Sequence, residues 1–124
     1  MAKILVVDDE ESVRTLLDTV LRRKGHDVAL ASGGQKAIEV FRRERPSVTI
    51  LDLKMPDMNG LSVLRQIRTL SPQASVIILS GVASVADEQQ ARALGVTEFL
   101  QKGFSLDLLG EALKRTLKAP VYET

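Results

Sequence analysis

Ile4-Leu5-Val6-Val7-Asp8-Asp9 is a run of four apolar residues closed by two carboxylates, and its reading decides the fold. A continuous apolar run with no polar alternation predicts a strand covered on both faces, as in the parallel sheets of α/β proteins. The run is too short for a signal-peptide core and far too short to span a membrane.

The same pattern recurs outward from it. Val28–Ala31, Val48–Leu53, Val76–Leu79 and Glu98–Gln101 are short strand candidates. Between them lie stretches with helical spacing. Val13, Leu16, Leu17, Val20 and Leu21 form one stripe, ended by Gly25. Ser32 with Gln35 predicts a capping box that opens a helix carrying Ala37, Ile38 and Phe41, and Pro46 ends that segment. Met55–Gly60 is a turn-rich loop, in which Asp57 reads as a turn residue. Leu61, Leu64, Ile67 and Arg68 continue as a helix. A weaker helix runs over about Ser84–Leu94 and stops at Gly95, and Leu108, Leu109, Ala112, Leu113 and Leu117 mark the last one.

Strands that alternate with helices imply a single doubly wound α/β domain, with parallel strands and right-handed crossovers. The domain is expected over residues 1–118, with 119–124 a tail or the start of a linker. The net charge of +1, from 17 basic and 16 acidic residues, gives no bulk attraction to nucleic acid or to an acidic membrane. Arg22-Arg23-Lys24, Arg42-Arg43-Arg45 and Lys114-Arg115-Lys118 fall in the last turns of helices, where the dipole favours positive charge. With 3% aromatic residues there is little to stack on bases. Cysteine is absent, which excludes thiolate metal sites and suits a reducing cytoplasm, the expected location. The single histidine, His26, reads as a surface or strand-edge residue.

In doubly wound folds, sites form outside the C-terminal ends of the strands. Those ends carry Asp8 and Asp9, then Asp52, Ser80 and Lys102. Singly, the acids would serve as helix caps, the serine as a turn residue and the lysine as a solvated side chain. Together they bring three carboxylates to one edge, where mutual repulsion calls for a cation. Mg²⁺ suits such oxygen ligands beside a phosphate. Lys102 supplies a second positive charge, Ser80 a hydroxyl donor, and one carboxylate remains as nucleophile. No G-x-G-x-x-G or G-x-x-x-x-G-K-[ST] phosphate loop is present, and no His-Glu-x-x-His.

The pieces ILVVDDEE at 4–11, ILDLKMPDMNG at 50–60, IILSG at 77–81 and FLQKGF at 99–104 resemble the receiver domain of two-component response regulators over residues 2–118. The resemblance implies a flavodoxin-like five-stranded sheet of order 2-1-3-4-5. It implies Asp52 as phosphoacceptor. It implies Asp9, Asp52 and the Lys54 backbone carbonyl as direct Mg²⁺ ligands, with Asp8 acting through water. Ser80 and Phe99 would move together as a switch, Lys102 would pair with the phosphoryl group, and Lys54 and Val82 would tune its lifetime.

The expected partners are a sensor histidine kinase or phosphotransfer protein, and an output domain beyond Thr124, with transcription the expected output. A phosphorylation-dependent homodimer, but no nucleic-acid or membrane contact, is also expected. A stand-alone receiver acting by protein contact is the alternative. An aspartate-nucleophile phosphatase would want a second aspartate where Lys54 stands. Two departures stand out. Lys102 is followed by Gly103 rather than proline, which predicts a trans or mobile loop there. Phe99 stands where tyrosine is also common, so ring packing alone must read the switch.

Overall fold

The apolar runs do become strands in a computed structural model that describes residues 2–81, 83–102 and 106–118. The order along the chain is β1 (Lys3–Val7), α1 (Glu11–Arg23), β2 (Asp27–Ala31), α2 (Gly34–Glu44), β3 (Val48–Leu51), α3 (Gly60–Leu70), β4 (Ser75–Ser80), α4 (Val85–Ala93), β5 (Glu98–Gln101) and α5 (Leu106–Lys118). All pairings are parallel, and the sheet order is β2-β1-β3-β4-β5. This is the flavodoxin-like order that the resemblance implied.

Strand alternation divides the core between the two faces. Ile4, Val6, Val48, Ile50, Ile77 and Leu79 pack with Leu17 and Leu21 of α1 and Leu109, Ala112 and Leu113 of α5. Their neighbours Leu5, Val7, Leu51, Val76 and Ile78 point the other way, to Phe41 of α2, Leu64 and Ile67 of α3, and Ala91 of α4. A strand buried on both faces needs apolar residues at every position, which is why the runs show no alternation. Among the described residues, no helix is long and apolar enough to cross a membrane.

Two local expectations are corrected and a third is refined. First, Ser32 and Gln35 do not form a capping box. α2 begins at Gly34 behind an extended Gly33 with no side-chain cap of its own. Its free amides are instead taken by Asp57, which accepts from Gly34 N–H at 3.1 Å and Gln35 N–H at 3.2 Å. A carboxylate from another loop satisfies the same orphan donors and the same dipole. Second, β3 ends at Leu51, so Asp52 lies just beyond the strand rather than within it. Third, His26 is partly buried, and its Nδ1 is shut off from solvent with no partner among the described residues. Burial first, and then nearby positive charge, hold its pKa below the ordinary value.

The weak α4 has a real N-terminus. Ser84 accepts from Asp87 N–H, and the Asp87 carboxylate accepts from Ser84 N–H, a reciprocal capping box. Val82, the Lys102–Gly103 peptide and the 119–124 tail lie outside the described residues.

Candidate functional site

Sheet register brings the strand-end residues to one level. Val7 of β1 pairs with Ala31 of β2 and Leu51 of β3. The next residues, Asp8 and Asp52, continue the ladder through their amides. Asp8 N–H donates to Ala31 O at 3.1 Å and Asp52 N–H to Val7 O at 3.0 Å. Ser80 closes β4, and its carbonyl accepts from Lys102 N–H at 2.8 Å. Asp8, Asp52, Ser80 and Lys102 therefore leave the sheet at the same edge.

The loop after Asp52 turns back tightly on Gly60, whose N–H donates to Leu53 O at 2.8 Å. A Cβ at Gly60 would collide with the backbone of Asp52 and Leu53, so only glycine allows this approach. Asn59 then caps α3, accepting from Leu61 N–H at 2.8 Å. The loop from Asp52 to Gly60 is thus fixed at both ends by backbone geometry.

Asp8 and Asp52 are buried and Asp9 is exposed. One carboxylate oxygen from each lies within 4.8 Å of the others. Lys102 Nζ enters from the side, 3.1 Å from Asp8, 3.4 Å from Asp52 and 2.7 Å from Glu10. Among the described residues it is the only cation ion-paired to these acids.

Asp52 is disfavoured as a carboxylate by its burial and by its acidic neighbour. Burial, and then the Asp8 carboxylate, push its pKa up to about 6, against the pull of Lys102. Burial opposes the charge on Lys102, but Glu10, Asp8 and Asp52 outweigh it and raise its pKa. Uncompensated charge on clustered oxygen donors fits a hard divalent cation. The donor set contains no nitrogen or sulfur ligand, which favours Mg²⁺ over softer metals.

Phe99 lies on β5 opposite Ile78 and packs, half-buried, on the α4 side of the sheet. The Arg92 guanidinium of α4 stands 6.0 Å from its ring centroid. Lys54 donates its backbone N–H to Asp52 at 3.4 Å, while its ammonium reaches Asp87 on α4 at 3.1 Å.

Sequence reasoning singled out the strand-end group but missed four partners. Glu10 pairs with Lys102, Asp57 caps α2, Asp87 pairs with Lys54, and Arg68 donates to three carbonyls, those of Leu94, Ala74 and Gly95. Glu10 was signalled only by its place beside the acid pair. The other three depend on contacts between elements distant in sequence.

A parallel 2-1-3-4-5 sheet with acids, a serine and a lysine at its C-terminal edge defines a doubly wound α/β protein with a candidate site at that edge. Comparison with known proteins narrows this. The response regulator receiver domain matches residues 4–114, and the chain belongs to that family.

Sporulation initiation phosphotransferase F of Bacillus subtilis is 31% identical over 115 residues, covering 93% of each chain. The probable transcriptional regulator ycf27 of Porphyridium aerugineum is 36% identical over 116 residues, 94% of this chain but 48% of that protein. The chain thus spans nearly all of one curated relative and about half of others. Among solved structures, a receiver domain protein from Clostridium thermocellum superposes with a TM-score of 0.90 at 30% identity, covering 96% of each chain. The Vibrio cholerae chemotaxis protein CheY4 superposes with a TM-score of 0.87 at 31% identity, covering 94% of this chain and 98% of that one.

Proposed function

We propose that this receiver domain accepts a phosphoryl group on Asp52 and passes the change to its α4–β5–α5 face. The observation that carries the reading is the meeting of Asp52 with Asp8, Asp9 and Lys102 at one sheet edge.

The donor is a phosphohistidine on a sensor kinase or phosphotransfer protein, since the single histidine of this chain, His26, lies just before β2, at the opposite edge of the parallel sheet from Asp52. One Asp52 oxygen attacks phosphorus. The O–P bond forms as the N–P bond breaks, and its electron pair stays on the donor nitrogen. With a pKa of about 6, Asp52 is mostly ionised near neutral pH and is a competent nucleophile. Mg²⁺ held by Asp9, Asp52 and the Lys54 carbonyl, with Asp8 acting through water, would neutralise charge on the transferring group. Lys102 steadies a second phosphoryl oxygen, and the Ser80 hydroxyl donates to a third.

The new charge of about −1.5 to −2 draws Ser80 and Lys102 inward. Phe99 then turns into the space left by Ser80. Its half-buried position on the α4 side supports this, because the ring can move without opening the main core. Phosphorylation shifts a population between two such states, and a partner that prefers one of them completes the signal.

The protein acts as a phosphoacceptor rather than a turnover enzyme, since Lys54 occupies the place of a second catalytic acid. The longer relatives named as transcriptional regulators support an output domain beyond residue 124. Similarity to the sporulation phosphotransferase supports a second reading, a receiver that acts by protein contact within a phosphorelay. Beryllofluoride with Mg²⁺ should move the amide resonances of Asp52, Ser80 and Lys102. Unmoved resonances at saturating reagent would contradict the site.

A further inference from the structure

α4 is attached to the rest of the domain by very little apolar surface. Ala91 is its only buried residue, and Val85 in its first turn is 74% exposed. Polar contacts from neighbouring elements hold it instead. At its C-terminal end Arg68 of α3 donates to the Leu94 and Gly95 carbonyls, at 2.6 and 2.8 Å. In its middle Arg65 donates to Gln90 at 3.1 Å. At its N-terminal end the Lys54 ammonium lies 3.1 Å from the Asp87 carboxylate.

That last contact differs from the others in where it comes from. Lys54 is two residues beyond Asp52, and its amide already donates to the Asp52 carboxylate. Asp87 serves two partners with the same oxygen, the Lys54 ammonium and the Ser84 N–H of the capping box. The start of α4 is therefore tied through one lysine side chain to the loop that carries the phosphoacceptor.

We propose that Asp87 is a positioning residue that holds the Lys54 ammonium at the first turn of α4, and that a phosphoryl group on Asp52 competes for this ammonium and loosens that turn. The inference rests on Asp52 as phosphoacceptor. The acyl phosphate carries about −1.5 to −2 in place of the single charge of the Asp52 carboxylate, more than the one carboxylate of Asp87 carries, so the lysine is drawn towards it. With one of a few polar tethers lost and almost no apolar packing to replace it, the first turn opens at low cost. This path runs through Lys54 and Asp87, and is separate from the movement of Ser80 and Phe99.

The test is amide exchange of residues 85–88 in the parent, Lys54→Gln, Asp87→Asn and the double variant. Each is measured at rest and after acetyl phosphate with Mg²⁺, with intact mass recording the phosphorylated fraction. Asparagine keeps an acceptor for Ser84 N–H, so Asp87→Asn removes the ion pair and retains the cap. At rest, either single variant should exchange about twofold to fivefold faster than the parent in this turn, the range an exposed ion pair supports. The double variant should match the singles, because the two residues act through each other. Phosphorylation should speed exchange there in the parent and add little in the variants.

Additive effects in the double variant, or an unchanged resting rate in Asp87→Asn, would overturn the inference. Full phosphorylation with an undiminished rise in the variants would overturn it while leaving Asp52 as acceptor. A parent that gains no phosphoryl group would overturn both.

Discussion

Lys102 Nζ lies 3.4 Å from Oδ2 of Asp52, although 50 positions separate them in the chain. The approach is produced by sheet order. β5 lies beside β4 and β4 beside β3, and the Lys102 amide is hydrogen-bonded to the last residue of β4. The same ammonium also touches Asp8 and Glu10, so a single cation balances several acids.

Replacing Lys102 with methionine should therefore have two effects. Phosphoryl gain on Asp52 should slow by about a hundredfold, the usual cost of losing one charge-stabilising donor. The metal-free protein should also lose stability, because buried Asp8 and Asp52 lose their counter-ion. Added Mg²⁺ should restore much of that loss, which thermal melts with and without the ion would measure.

Asp52→Asn should stabilise the metal-free protein, and the gain should depend on pH. The folded pKa is raised from the ordinary 3.8 to about 6, so the folded state binds the extra proton in this window. Stability then falls as pH rises through it. Urea unfolding should show a clear advantage for Asp52→Asn at about pH 7.5 that shrinks towards nothing by about pH 4. An advantage that grew on acidification would mean that Asp52 is not held in this environment.

Asp57→Ala should cost about 1 kcal/mol through loss of the α2 cap, read from chemical denaturation. The Gly34 and Gln35 amides hold the Asp57 carboxyl below the usual range. Its contribution should therefore be present at neutral pH and fade only as pH falls below the ordinary value near 4.

Much of the fold was legible because both-face burial leaves a local signature, and Ile4–Val7 or Val76–Leu79 need no partner to be recognised. Sheet order was not local information. It came from the resemblance, and the ladder bears it out. The strand-end acids, Ser80 and Lys102 could be found because doubly wound folds gather such positions. The α2 cap was misassigned for a physical reason. Ser32 and Gln35 have the right spacing, but the donors they would satisfy are met by Asp57 from another loop. Arg68 looked like an ordinary helical residue because carbonyl acceptors carry no sequence signal.

Arg68→Ala should destabilise the domain by about 2 kcal/mol, since it removes donors to three carbonyls across two loops. The loss should concentrate at the C-terminal end of α4. Faster amide exchange near Leu94 and Gly95, with α1 and α2 unchanged, would check it.

The most direct measurement is intact mass after incubation with acetyl phosphate and Mg²⁺, with Asp52→Asn alongside. The account predicts a gain of one phosphoryl group in the parent, none in the variant, and none in the parent after chelation of the ion. An equal gain in Asp52→Asn, or no gain in a parent that also fails to bind beryllofluoride, would contradict it.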